Sequence, residues 1–542
     1  MRTALVVLVA VADAAGLVVP RRELSMQVIK TRASHISCSI SDVFSSWATD
    51  AKIDLLAPLK LAEFDGGVRG VAAGAPLAAG ARVIAVPAKL ALQVTTQQPC
   101  PRWFDESAWK ELKWDGRLAL SLLRMRALQR EGSAQRDAEI GIVRARWLAI
   151  LPETFETPIF WSPEDLKALG YPPLEAAVQK QRADWDGIYA RVCSALPEGA
   201  AAAAGGPAAA AGAEPSMQLV RPSKPELYWA LSNVRSRAFS GPFSTGTLKG
   251  SIGQLGFATV LAGIYGASGM GSLEDALNGW LAVLFSLIIS DLLFSRITPA
   301  KRYVMCPWLD LLNHRSDASG SELAYEYFSD SFAATTDPTT GATGSGDEIF
   351  ISYGERSNEQ LLQYYGFVEQ NNPYDRYVTT QESFLLLLSR VCPFEPQRLQ
   401  RLRDAQLVDS TTPISFGRSA PDERALQLTR LMLHEEEELV ENGRSPSADV
   451  SAEVRVLRAL ADCALEDALA FDQPIAIKGA AASLAVAFRA EKATLLRSCA
   501  AELSALADSS EAAGVLRLPT TLAEQPDKAA SKLPGLGLSR VK

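Results

Sequence analysis

The chain has 542 residues, of which 48% are hydrophobic and 21% charged, and its formal net charge is −8. At about 100–200 residues per domain it holds more than one domain, with enough apolar sequence for sizeable cores. Its acidic balance argues against general nucleic-acid binding, which needs a basic face. Seven scattered cysteines form no C-x-x-C pair and read as free thiols of a reducing compartment. The three histidines, His35, His314 and His434, lie too far apart in sequence for a metal cage or a Ser-His-Asp triad, so no metal is expected.

Residues 1–41 read as a two-part address. An apolar run from Ala4 to Ala12, followed by Ala14, Ala15 and Gly16, has a signal-peptide layout and is too short to span a bilayer. Leu17 to Ser41 is rich in Ser, Arg and Lys, with Glu23 its only acid, which is the composition of a transit segment. That combination favours a plastid, with the cytoplasm as the alternative. Ordered sequence begins near Asp42. Gly66 to Val94 alternates short apolar runs with Gly-Ala-Pro turns and predicts several small strands. Ala108 to Ala195 has helical spacing, broken at Pro152. The stretch 198–215 is Ala/Gly low complexity and reads as an insertion. Helical spacing resumes at Glu226. Two uncharged runs follow, Gly250–Ser272 and Ala276–Ser290. Glycines between Gly253 and Gly269 break the first, and Asp291 ends the second, so buried or surface-docked helices are favoured over membrane insertion. Glu382 to Leu506 predicts a separate helical domain, with Val454, Leu457, Leu460, Ala461 and Leu465 as its buried stripe. His434 to Leu439 reads as a solvated helix face, and the tail from Pro519 as disordered.

Two segments carry the chemistry. The first is CPWLDLLNHRS, with Asp310, Asn313 and His314; the second is GDEIFISYGERSNEQLLQYYGF. The second predicts a strand over Ile349 to Tyr353, a turn at Gly354 and a helix capped by Ser357.

Together with WALSNVRSRAF upstream, these segments resemble the two signature motifs of SET-domain protein methyltransferases, in the branch of the Rubisco large-subunit lysine methyltransferase. The resemblance covers most of Gly66 to Asp375, apart from the two low-information insertions. It implies an α+β fold: a SET domain of small sheets with a pseudoknot, over 42–375, with a helical insert at 108–305 that contains 198–215 and 250–295. An all-α substrate-binding domain over 376–515 and a tail at 516–542 would follow. S-adenosylmethionine would be the cofactor. Gly67, Val68 and Arg69 would form a cofactor loop, with Gly67 standing where the motif commonly has an acid. Arg237 would meet the cofactor's carboxylate, Asn313 and His314 would hold its methionine part, and Tyr365 would line the pocket. Asp310, Tyr325 and Ser236 would touch substrate, and Tyr353 would be catalytic.

The implied reaction is attack of a neutral lysine amine on the sulfonium methyl, with Tyr353 orienting the amine. The partner would be a protein substrate, such as Rubisco large subunit or another plastid enzyme such as aldolase, met by a monomer. A histidine target, or a SET fold kept only for binding protein, are the alternatives.

Overall fold

The computed structural model describes residues 47–49, 51–64, 68–95, 98–130, 138–196, 219–241, 259, 264, 274, 278–281, 301–326, 329–404, 406–408, 412–433, 449–477 and 479–517. The address at 1–41, the insertion at 198–215, nearly all of 250–295, the His434–Leu439 run and the tail at 516–542, apart from its first two residues, lie outside them.

The N-terminal half is a set of small sheets clasped by helices. Strands β1 (Asp54–Leu55), β4 (Arg82–Pro87), β9 (Glu322–Glu326) and β10 (Ser331–Thr335) form one antiparallel sheet in the order β1-β4-β10-β9. Strands β2 (Leu59–Phe64) and β3 (Val68–Ala73) form a hairpin. β5 (Leu92–Thr95), β6 (Phe239–Gly241) and β7 (Arg302–Met305) form a third sheet with β7 central. The central strand thus joins segments on either side of the long helical insert.

That insert begins with α1 (Glu106–Glu111), capped by the Asp105 carboxylate, and continues with α2 (Trp114–Arg130) and α3 (Ala138–Ile150). After α4 (Pro163–Ala168) and α5 (Pro172–Ala195), α6 (Lys224–Arg237) returns the chain to β6. Ser223 and Glu226 close a reciprocal capping box at the start of α6, so this helix is fixed by its own sequence. Trp47, Trp109, Trp147, Trp308, Phe332 and Ile351 meet in the first core. The stacked Trp114 and Tyr303 rings, 4.4 Å apart, tie α2 to β7 at its edge.

A second core lies around α8 (Gln381–Val391), α9 (Pro396–Asp404), α10 (Glu423–Leu433), α11 (Val450–Asp472) and α12 (Ala480–Ala513). It also takes Trp161, Leu166, Tyr171 and Val178 from the insert and Leu362 from α7 (Asn358–Tyr365). The hairpin of β12 (Tyr377–Thr380) and β13 (Pro413–Phe416) adds strands to a region expected to be wholly helical. Of the expected stripe on α11, Val454, Leu457, Leu460 and Ala461 are buried but Leu465 is 43% exposed. Small residues, Ala459, Cys463, Ala464 and Ala468, extend the buried face instead. Buried between α10 and α11, the Arg430 guanidinium grips the Glu453 carboxylate through Nε and Nη2. No helix among the described residues is long and apolar enough to cross a membrane.

Candidate active site

The first segment leaves β7 through Cys306 and Pro307 and turns at Trp308, whose φ is 74°. A tryptophan rarely adopts this left-handed conformation. Burial of its ring against Trp47, at 5.4 Å, holds it there. The 3-10 turn Leu309–Leu311 then aims Asp310 inward and delivers β8 (Asn313–His314). β8 pairs in parallel with β11 (Phe350–Ile351), so the two chemistry-bearing segments lie side by side.

The Asp310 carboxylate is buried and accepts a hydrogen bond from Trp147 Nε1 at 2.9 Å. Arg237, at the end of α6, donates through Nη1 to the Asp310 carbonyl at 2.7 Å and stands 3.4 Å from Oδ2. Burial pushes the Asp310 carboxyl up, against the pull of Arg237. Asp310 Oδ1 and Arg237 Nε are both buried without a hydrogen-bond partner among the described residues. Burial, and then the neighbouring Arg237 charge, hold the Arg69 guanidinium below its usual value. Two guanidiniums and one carboxylate therefore share this corner.

Asn313 Nδ2 donates to the Arg69 carbonyl at 2.9 Å and to Glu348 Oε1 at 2.7 Å. The His314 ring stacks on Tyr353, with centroids 5.0 Å apart, and its Nδ1 accepts the Tyr353 amide proton at 2.9 Å. This fixes the neutral tautomer with the proton on Nε2. Burial pushes the His314 imidazole down, partly offset by the Glu369 carboxylate 3.7 Å from Nε2. The Tyr353 hydroxyl donates to the Leu312 carbonyl at 2.8 Å. Burial, and then the Tyr365 ring 4.9 Å away, push the Tyr353 hydroxyl well above the usual tyrosine value. Arg237, Asp310 and Glu348 also act on that hydroxyl, so one neighbourhood holds them all.

The strand expected over Ile349 to Tyr353 is only Phe350–Ile351. The turn falls at Gly354, whose φ of 90° suits glycine. Ser357 occupies the position before α7, but its side chain makes no cap. The Asp375 carboxylate does, accepting the Asn358 amide proton at 2.9 Å.

Arg69, Arg237, Asp310, Asn313, His314, Tyr353 and Tyr365 thus come together. Val68 opens β3 and is 50% exposed, and Gly67 lies outside the described residues. Ser236 bonds back along its own helix, its hydroxyl donating to the Ser232 carbonyl at 2.8 Å. Tyr325 sits on β9 with its ring on Phe332 and its hydroxyl on Asp330, so it belongs to the four-stranded sheet. Sequence reasoning gave no role to Glu348, Gly70, Trp147 or the Leu312 carbonyl. The one signal for Glu348 was an acid leading directly into the buried Ile349 at the start of an apolar strand.

No family model matches the chain. Over 133 residues it is 28% identical to the human "SET domain-containing protein 4", a stretch that covers 24% of this chain and 29% of that protein. Solved structures of Rubisco LSMT, one bound to sinefungin and monomethyllysine and one bound to AdoMet, are 17% and 16% identical; each covers 87% of this chain and 92% of its own, with a TM-score of 0.47. The sequence likeness, together with a site built where two distant segments pair, marks the chain as one that resembles SET domain methyltransferases.

Proposed function

We propose that the protein is an S-adenosylmethionine-dependent protein-lysine N-methyltransferase. The observation that carries this reading is the Tyr353 hydroxyl, half-buried against the His314 and Tyr365 rings and tied to the carbonyl of Leu312, the residue before Asn313. The residues fit the amino-acid end of such a cofactor. Arg237 Nε is a buried donor and Asp310 Oδ1 a buried acceptor, each without a partner among the described residues. Gly70 lacks the Cβ that would fill the space between Glu348 and Asn313. Arg237 and Arg69 would hold the anionic end, and Asn313 and His314 the rest of the methionine part. When bound, the cofactor supplies an electrophilic methyl group on a sulfonium.

The chain's own residues prepare the nucleophile. A lysine amine has an ordinary pKa of about 10.4 and must be neutral to react. The aromatic wall of Tyr353, Tyr365 and Phe367 excludes water and disfavours the ammonium form. Tyr353, which stays protonated, orients the amine from the Leu312 edge. The partner is then a protein presenting a lysine, of the class of Rubisco large subunit or aldolase. The plastid is the proposed compartment, on the address read in residues 1–41.

The test is a radiolabelled-methyl assay on a plastid extract, paired with calorimetry using S-adenosylhomocysteine. Tyr353→Phe should lower turnover by about a hundredfold or more, since misplacing a reacting group by about 1 Å costs that much, while S-adenosylhomocysteine affinity stays close to wild type. Unchanged turnover removes Tyr353 from the reaction. Failure of the native chain to bind S-adenosylhomocysteine sinks the enzyme reading.

A further inference from the structure

We propose that Glu348 is a positioning residue: with the Arg69 carbonyl it locks the Asn313 amide so that Asn313 Oδ1 faces the cleft as the acceptor for a ligand ammonium. This rests on the cofactor reading above.

The lock follows from the chemistry of its parts. Asn313 Nδ2 has two hydrogens, and both are engaged, by the Arg69 carbonyl at 2.9 Å and by Glu348 Oε1 at 2.7 Å. A carbonyl only accepts, and so does an ionised carboxylate. Turning the amide over would set its oxygen against two acceptors, so only one orientation is stable. The main chain aims Glu348 at this place. Ile349 N–H donates to the Val71 carbonyl at 2.8 Å, Ala73 N–H donates to the Asp347 carbonyl at 2.9 Å, and Glu348 itself bridges Ala72. Its side chain therefore crosses β3 at Gly70. A Cβ on Gly70 would come within 2.8 Å of Asn313 Nδ2 and closer still to Glu348 Oε1, inside any real contact distance. Three residues remote in sequence, Gly70, Asn313 and Glu348, make one fixture.

What the fixture leaves open defines the ligand. Neither Asn313 Oδ1 nor Glu348 Oε2 has a hydrogen-bond partner among the described residues. An amide oxygen beside a carboxylate takes a cationic donor and repels a carboxylate. Arg69 and Arg237, on the Asp310 side, have the opposite preference. The cleft thus reads a zwitterion with its ammonium on the Glu348 side.

Calorimetry on the full chain tests this with two probes, S-adenosylhomocysteine and its des-amino analogue, in which hydrogen replaces the amine. Glu348→Ala should weaken S-adenosylhomocysteine by about tenfold to a hundredfold, the scale of a lost hydrogen bond to a charged group, and leave the analogue within about twofold, as a bond it never makes cannot be lost. Glu348→Gln, which still offers an acceptor to Nδ2, should recover part of the loss. Gly70→Ala should repeat the Glu348→Ala pattern. Equal weakening of both probes shows a merely structural role and overturns the proposal, as does no weakening of either. If the native chain binds neither probe, the cofactor reading falls and takes this proposal with it. If the native chain binds both and the variants do not separate them, only the proposal falls.

Discussion

Replacing Lys492 by methionine should destabilise the fold by about 3–5 kcal/mol, the cost of removing one partner from a buried ion pair. Lys492 sits on α12, and its Nζ donates to Glu359 Oε1 at 2.8 Å, to Asp375 Oδ1 at 2.8 Å and to the Arg376 carbonyl at 2.7 Å. The Lys492 and Asp375 side chains are 0% exposed and Glu359 only 16%. Methionine nearly fills the same volume, so the loss is electrostatic rather than a cavity. Two carboxylates would face each other in the interior, left with uncharged donors from Tyr171, Ser357 and Asn358. In the native chain burial alone would lower the Lys492 ammonium, but Asp375 and Glu359 more than reverse this and hold it above its usual value. A raised base contributes stability that is complete below its unfolded value of about 10.4 and is lost as pH rises through the folded value. In the variant the unpaired carboxyls are raised in the folded state. They bind protons more tightly than in the unfolded chain, so the deficit is largest at neutral pH and shrinks as pH falls. Urea unfolding followed by tryptophan fluorescence, at neutral and at mildly acid pH, measures both features. A loss below about 1 kcal/mol at neutral pH, well under the buried-pair range, refutes the reasoning. So does a deficit that grows on acidification.

Two further outcomes are expected. Asn313→Ala should weaken S-adenosylhomocysteine binding by about tenfold or more in calorimetry; wild-type affinity would contradict its assignment to the cofactor. His314 titrates below its ordinary 6.5 because burial disfavours the charged ring, with Glu369, Arg356 and Asp317 as its charged neighbours. The unfolded chain therefore binds that proton more tightly, and the stability from this group is complete above 6.5 and lost as pH falls through the folded value. His314→Gln should remove this component, so that the stability difference between variant and native chain narrows in acid. A difference independent of pH would refute it.

Much of the helical framework was legible because its signals are local. The helical spacing that resumes at Glu226 and the Pro152 break need only a few neighbouring residues to act. The crossing was legible only through the resemblance. β8 and β11 are two residues each, too short for any periodicity, and they pair across a stretch of chain that carries β9 and β10 of another sheet. Leu465 shows a spacing rule failing for a packing reason. Ala459, Ala464 and Ala468 of α11 and Ala485, Ala493 and Ala500 of α12 are all buried in the second core. Small side chains let the helices close, and a leucine one position off that stripe is left facing solvent. Ser357 had the right type for a cap, but Asp375 has a full charge for the helix N-terminus and reaches it from a distant turn. Lys492 could not have been found from the sequence. Nothing near it in α12 announces that its partners lie more than a hundred residues upstream.

Many of the contacts that fix the candidate site involve main-chain atoms. Tyr353 bonds the Leu312 carbonyl, Asn313 the Arg69 carbonyl and His314 the Tyr353 amide, and the Arg315 amide bonds the Ile351 carbonyl. Carbonyls and amides are the same whatever side chain they carry, so most positions around the cleft can change without altering its geometry. This is a physical reason why a likeness of only 28% over 133 residues is compatible with a closely built site. The positions that main-chain atoms cannot substitute are few. Gly70 must lack a Cβ, Asn313 must donate twice and still accept, Glu348 must take one of those protons, and Tyr353 must bring a hydroxyl to the Leu312 edge. Substitutions at these four should be costly to function, while their flanking residues should tolerate exchange of like size.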